Sequence, residues 1–303
     1  MSDAVICWGN DFQPHPDFNV PGLIEYDSRT AGHAEICIGF PSAAQLASMP
    51  RLRWLQLMSA GAERWLHIPP AILLTSANSV FAEPAAEHAL ALLLALGRDL
   101  PNQVRHGVAH RWIKSTQCRD VSHAQVALLG LGSIGQAIAA RLAAFSATVA
   151  GFRRTAQGAV PPGVHSVHAF AELGHMIATM DAVVLALPAT PATEKILSRS
   201  LLEGLKPGAL VVNVGRGSTI DQEALIDGLA SGRIGGAGLD VTVPEPLPPE
   251  HPLWSCANVL ISGHSVNASS GKPRRWSELV ITQLARWRGG EPLLYQVDRT
   301  LGY

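Results

Sequence analysis

The chain has 303 residues, 47% hydrophobic and only 16% charged, with 28 glycines and 21 prolines. That is room for about two domains at roughly 150 residues each, and too apolar for a disordered chain. With 23 basic against 24 acidic residues, the net charge of -1 offers no basic surface to a nucleic acid.

The longest apolar run, Ala89 to Leu96, is too short to span a bilayer, and Asp3 stands where a secretory signal would be basic. Four separated cysteines (Cys7, Cys37, Cys118, Cys256) with no CxxC pair fit reduced thiols and a cytoplasmic protein. In chain order, Ala4–Trp8, Ala34–Ile38, Leu52–Met58 and Ile72–Thr75 have strand length and are parted by Pro- and Gly-bearing stretches. A helix is predicted from Pro84 to Gly97-Arg98, stopped by Pro101. It is apolar on nearly every side, so it is expected to pack between domains or subunits. From Gln125 the rhythm becomes regular. Strands are predicted at Val126–Leu129, Thr148–Phe152, Asp181–Leu187, Ala209–Val214, Gly236–Val241 and Val259–Ser262. Helices are predicted at Ile134–Ala143, Leu201–Leu205 and Gln222–Ala230, and an amphipathic helix after Gly271. Continuously apolar runs such as Val183-Val184-Leu185 belong to strands covered on both faces, so this block reads as a doubly wound nucleotide-binding domain.

Gly130-Leu131-Gly132-Ser133-Ile134-Gly135 lies directly between a strand and a helix. In that context a GxGxxG turns tightly, admits a pyrophosphate and lends it the free N–H groups of a helix N-terminus. An acidic residue should follow about 20 positions on, to hold the ribose of NAD. Here the strand instead runs into Arg153-Arg154-Thr155, and no Asp or Glu occurs between Gly130 and Glu172. Two guanidiniums in place of a carboxylate suit a 2′-phosphate, hence NADP(H) over NAD(H).

Three later strand ends each carry one chemical residue: Arg216, Glu245 and His264. A histidine titrates near neutrality and can protonate a carbonyl oxygen as hydride arrives. A carboxylate beside an imidazole favours its charged form, and an arginine can hold a substrate carboxylate and polarise the carbonyl. The trio suits reversible reduction of a 2-oxo acid.

With these residues in view, the sequence resembles the D-2-hydroxyacid dehydrogenase family, in its NADP-preferring glyoxylate/hydroxypyruvate reductase-like branch. The resemblance rests on Ser59-Ala60-Gly61-Ala62, Ala86-Glu87-His88-Ala89, the glycine turn from Leu129, and Asn213-Val214-Gly215-Arg216-Gly217. Leu239-Asp240-Val241, Glu245-Pro246-Leu247-Pro248 and His264 complete it, in family order across essentially the whole chain. It implies an α/β fold of two flavodoxin/Rossmann-like domains with parallel doubly wound sheets and an active site in the cleft between them. The substrate domain would comprise 1–78 plus 270–303, and the dinucleotide domain 79–269. It also implies Arg216 as substrate binder, His264 as acid/base with Glu245 as its partner, and backbone N–H groups at Ala60 and Gly61 for the substrate carboxylate. Asp240 and the Val214 carbonyl would face the nicotinamide, Leu187-Pro188 would line the cofactor and Thr193 would lie near its phosphates. A homodimer is expected through the helix at 84–98.

One departure is Gly263, where the family commonly has proline before the histidine, which loosens that loop. His106 and His110 stand four apart without a third ligand, so no metal is expected. His165 and His168 read as surface, and Trp54, Trp65 and Trp112 as residues near the expected cleft or domain edge, with a packing role the default for Trp65. The resulting expectation is an NADPH-dependent reductase of glyoxylate or hydroxypyruvate. The alternatives are a reductase of larger aromatic or branched 2-oxo acids, or a non-catalytic NADP(H) sensor on the same fold.

Overall fold

The computed structural model describes residues 4–7, 15–29, 31–115 and 117–303. Its first elements are β1 (Ala4–Cys7), β2 (Ile24–Glu25), β3 (Ile36–Gly39), α1 (Ala43–Ala47), β4 (Trp54–Gln56) and β5 (Leu73–Thr75). Two helices follow, α2 (Asn78–Gly97) and α3 (Leu100–Val108). Then come β6 (Gln125–Leu129), α4 (Ser133–Ala143), β7 (Thr148–Arg153), β8 (Ser166–Ala169), α5 (Leu173–Met176) and β9 (Ala182–Leu185). The chain closes with α6 (Arg199–Gly204), β10 (Ala209–Asn213), α7 (Gln222–Ala230), β11 (Ile234–Leu239), β12 (Val259–Ile261) and α8 (Lys272–Arg288). These elements form two compact units, Met1–Phe81 with Ala268–Tyr303, and Ala82–Asn267.

The first unit holds a parallel sheet in the order β2-β1-β3-β4-β5, the flavodoxin-like arrangement. Its strands alternate between two cores. Val5, Cys37, Leu55 and Leu74 face one way, while Ala4, Ile6, Ile36 and Trp54 pack with Trp276, Val280 and Leu284 of α8. Large side chains buried this fully contribute about 1.5–3 kcal/mol each. The C-terminal segment is also tied in by polar bonds. Buried Gln56 donates to the Leu57 and Ser76 carbonyls and accepts from Thr75 and, at 3.2 Å, from Gln283, which itself pairs with the Leu294 backbone. β2 escapes a hydrophobic pattern because both of its residues are exposed. Trp8, expected to end the first strand, lies outside the described residues. Cys7 and Cys37, 30 positions apart, bring their sulfurs to 3.5 Å as free thiols on neighbouring strands.

The second unit holds seven parallel strands in the order β12-β11-β10-β9-β6-β7-β8. Alternate residues again enter opposite cores, Ala127 and Leu129 on one face, Val126 and Leu128 on the other. This double coverage is why the strands read as unbroken apolar runs. The strand order reverses between β6 and β9, and the carboxyl ends of strands at such a point are where open α/β sheets bind ligands.

Several expectations need correction. β8 carries Ser166 and His168, which hid its strand character. His168 is half-buried, with its ring 5.5 Å from Phe152 and Nε2 at 2.8 Å from Ser166 Oγ. Helix α2 begins at Asn78, six residues before Pro84, because Val80 and Phe81 are buried in the first unit's core. Pro101 opens α3 rather than ending α2, as proline's fixed φ suits a first turn. Trp54 is fully buried in a core, and Trp112 is fully exposed. Helix α2 is long and apolar enough to cross a membrane, yet 61% of that apolar stretch is buried within the chain. Its exposed positions, Glu83, Glu87 and Ala91, form one narrow stripe. Of the large apolar side chains left exposed, Leu100, Val104, Val108, Trp112 and Ile113 follow one another on α3 and just beyond it, while others, such as Ile24, Val160, Val243, Trp254 and Ile281, stand singly along the chain.

Candidate active site

At the end of β6 the three glycines have separate tasks. Gly130 has φ +102°, and a Cβ there would stand 2.6 Å from the Ala186 carbonyl oxygen. At Gly135 a Cβ would stand 1.9 Å from the Gly130 carbonyl oxygen, so only hydrogen lets α4 approach the strand. Gly132 faces open space at the start of α4, and no side chain caps that helix. The N-terminal N–H groups at Ser133 and Ile134 are therefore left for an anion. Leu131 is buried beneath the turn, and its carbonyl accepts from Gln136 Nε2 at 2.9 Å.

At the end of β7 the two arginines part ways. Arg153 folds back on its own loop, donating through Nε to the Thr155 carbonyl at 3.1 Å and through Nη2 to those of Gln157 and Ala159. Arg154 and Thr155 are exposed. Arg153 thus shapes the loop and Arg154 presents its guanidinium to solvent, a division that sequence alone cannot make. Across the switch point, Leu187 is buried, and Thr193 is turned inward. The Thr193 hydroxyl donates to the Pro188 carbonyl at 2.6 Å and accepts from Thr190 N at 2.9 Å, so it holds the loop's shape.

Arg216 stands just past β10 on a turn fixed by buried Asn213. That side chain accepts from Gly215 N at 3.0 Å and donates to the Arg216 carbonyl at 2.9 Å. The Thr219 hydroxyl donates to the same carbonyl at 2.6 Å. Val214 continues the strand pairing, its N–H donating to the Leu185 carbonyl. A Cβ at Gly217 would sit 2.2 Å from the Thr242 carbonyl oxygen, so the arginine turn and the Glu245 loop press together only because this residue is glycine.

Glu245 follows β11. One carboxylate oxygen accepts from Thr242 N at 3.0 Å, and the other lies 2.9 Å from His264 Nδ1. The Gln222 side chain braces this loop, pairing with both the N–H and the carbonyl of Val243. With Nδ1–H engaged by the carboxylate, His264 presents Nε2 as its free proton-exchanging atom. Both side chains are partly exposed, 42% and 39%, so a small molecule can reach the pair.

Gly263 and His264 are both left-handed, at φ +61° and +57°. Proline, locked near −65°, could not adopt the conformation of residue 263. For histidine the left-handed state costs roughly 1–2 kcal/mol, so this loop must be held from outside. Asp240 holds it. Its carbonyl accepts from His264 N at 2.6 Å, and its carboxylate accepts from Ser262 Oγ and Ser265 N, both at 2.7 Å, and from Val266 N at 3.2 Å. The Asp240 side chain is wholly buried and bonded into this loop.

Ala60 and Gly61 lie in the first unit, on the loop after β4. The Ser59 hydroxyl closes that loop by donating to the Gly61 carbonyl at 2.7 Å. Neither the Ala60 nor the Gly61 N–H has a backbone or side-chain acceptor among the described residues. Sequence reasoning assigned no role to Asn213, Gln222, His88 or Ser262. His88 and Asn213 carried a signal, as members of the Ala86–Ala89 and Asn213–Gly217 motifs. His106 lies in α3, whereas His110 falls beyond its end at φ +52°; among the described residues no group of three ligating side chains gathers.

The second unit fits a dinucleotide. It has an uncapped helix start, a glycine opening beside it, an exposed Arg154 and no carboxylate at the end of β7. Comparison with known proteins agrees. Residues 90–265 match the model of the NAD-binding domain of D-isomer specific 2-hydroxyacid dehydrogenases. A Homo sapiens glyoxylate reductase/hydroxypyruvate reductase is 36% identical over 219 residues, 71% of this chain and 66% of that protein. The D-isomer specific 2-hydroxyacid dehydrogenase of Xanthobacter autotrophicus Py2, solved with NADPH and MES, superposes with a TM-score of 0.86 at 29% identity over 100% of both chains. The NADPH-dependent glyoxylate/hydroxypyruvate reductase of Sinorhizobium meliloti, solved with NADP and sulfate, gives 0.85 at 27%, also over 100% of both.

Proposed function

We propose, from the premise that this chain belongs to the D-isomer specific 2-hydroxyacid dehydrogenase family of oxidoreductases, that it reduces a small 2-oxo acid to the D-2-hydroxy acid with NADPH. Glyoxylate and hydroxypyruvate are the favoured substrates. The observation that carries this reading is the His264–Glu245 pair at 2.9 Å, beside the turn that presents Arg216.

The glycine turn at Gly130–Gly135 and the start of α4 would hold the pyrophosphate, Leu187 and Pro188 would line the cofactor, and Arg154 would read the 2′-phosphate. When bound, the nicotinamide supplies the hydride for the carbonyl carbon. Arg216 holds the substrate carboxylate and draws electron density toward the carbonyl oxygen. Protonated His264 gives its Nε2 proton to that oxygen, while Glu245, bonded to Nδ1, keeps the ring oriented. The free N–H groups at Ala60 and Gly61 would take a carboxylate. In this scheme the second unit binds the dinucleotide and the first selects the acid. NADP use is supported by the arginines that replace an acid, and by the NADPH and NADP in the two similar structures.

We also propose a cytoplasmic homodimer. Its contact, expected at the helix near 84–98, would extend over the exposed apolar residues Leu100, Val104 and Val108 with Trp112 and Ile113 that follow that helix. The test of function is NADPH oxidation by the purified protein with glyoxylate, hydroxypyruvate, pyruvate and phenylpyruvate, with NADH run in parallel. Turnover of the small acids with NADPH preferred is expected. Preference for phenylpyruvate would move the substrate class to larger acids, and NADPH binding without turnover of any acid would overturn the enzymatic reading.

A further inference from the structure

His88 lies on α2, far in sequence from the residues of the proposed chemistry, yet it reaches the loop that carries His264. Its Nε2 is 2.7 Å from Ser262 Oγ and 3.4 Å from Asp240 Oδ1. The Ser262 hydroxyl has one proton, and that proton is directed at Asp240 Oδ1, 2.7 Å away. His88 must therefore be the donor to Ser262, with a proton on Nε2.

The Asp240 carboxylate is wholly buried. A buried carboxylate needs donors, and His88, by donating to Ser262, leaves the Ser262 proton for Asp240. Asp240 in turn bonds to residues 262, 264, 265 and 266, bracketing the left-handed pair Gly263-His264 from both sides. Where proline would stiffen position 263 covalently, this chain has a glycine and a polar clamp.

We infer that His88 is a positioning residue for His264, acting through Ser262 and the Asp240 carboxylate to hold the 262–266 loop in its left-handed turn. The inference deepens the proposed reaction and rests on His264 as its proton donor. His88 itself touches neither substrate nor reacting atoms.

The test compares His88→Leu, which removes the donor, with His88→Gln, which retains an N–H at similar reach. In His88→Leu, kcat for 2-oxo acid reduction is expected to fall about ten- to a hundredfold, the scale on which a small misplacement of a reacting group is felt. The NADPH KM should stay within about twofold, because the glycine turn is untouched. His88→Gln should recover most of kcat. Amide hydrogen exchange gives a readout independent of turnover: Ser265 and Val266 should exchange faster in His88→Leu than in the parent or in His88→Gln. Should His88→Leu fail to fold, Ser262→Ala cuts the same link and is expected to give the same pattern. Unchanged exchange and unchanged kcat in the folded variant would overturn the inference. If the parent protein reduces no acid, the proposed reaction fails on its own, and the exchange of residues 265 and 266 still decides whether His88 holds the loop.

Discussion

Replacing Arg154 by alanine tests how this chain would tell NADPH from NADH. Arg153 is committed to carbonyls of its own loop, so in the proposed reading the 2′-phosphate contact would fall to exposed Arg154. A charge-assisted hydrogen bond of this kind is worth about 1.5–3 kcal/mol. At about 1.4 kcal/mol per factor of ten, its loss should raise the NADPH KM by roughly ten- to a hundredfold. NADH lacks the phosphate, so its kcat/KM should move by no more than about threefold. Steady-state kinetics with both cofactors at one saturating acid give the ratio directly. Arg153→Ala should behave differently, loosening residues 155–159 and raising the NADPH KM by only a few-fold while Arg154 keeps its charge. An NADPH-to-NADH ratio unchanged in Arg154→Ala, or a larger loss from Arg153→Ala, would refute the division of labour.

Three further outcomes are expected. His264→Ala should abolish reduction yet leave NADPH binding, followed by fluorescence titration, within about threefold; Lys195→Ala, at a half-exposed side chain whose nearest charge is Asp221 at 3.9 Å, should leave kcat unchanged, and comparable loss from both would sink the assignment. Val104→Asp, among the exposed apolar residues of α3, should shift the protein toward monomer in sedimentation velocity, and an unmoved dimer would place the contact elsewhere. The Ala169 N–H, and next to it the His168 side chain, hold the Glu172 carboxyl below the usual carboxylate range. Because the folded value is the depressed one, its contribution to stability is complete above the unfolded pKa and is lost as pH falls through the folded one. A carboxyl ¹³C titration of Glu172 should therefore have its midpoint below that of an unperturbed glutamate, and a midpoint at or above it would contradict the geometry.

Much of this molecule is written locally. The continuous runs at Val126–Leu129 and Leu210–Val212 specify strands covered on both faces, and the observed strands begin and end within two residues of those expected from β6 through β12, save for unseen β8. The glycine turn is legible because its spacing lies directly between a strand and a helix, and two of its glycines, Gly130 and Gly135, meet a backbone carbonyl that a Cβ would strike. Arg216, Glu245 and His264 were legible as a set because parallel strands deliver their carboxyl ends to one edge.

What local pattern could not supply was which partner uses up each polar group. Arg153 and Arg154 are adjacent and chemically identical, and only the folded loop places three carbonyls around the first of them. The Asp240 carboxylate is wholly buried and bonded to the 262–266 loop, partners that no spacing in the sequence announces. His88 and Ser262 are 174 positions apart, and Gln56 and Gln283 are 227 apart. Hydrogen bonds of that separation have no period and no motif, because their geometry exists only once distant strands and helices have packed. Periodicity and turn chemistry thus determined the elements and the chemical residues, while tertiary packing alone decided which side chains stay free to act and which hold them in place.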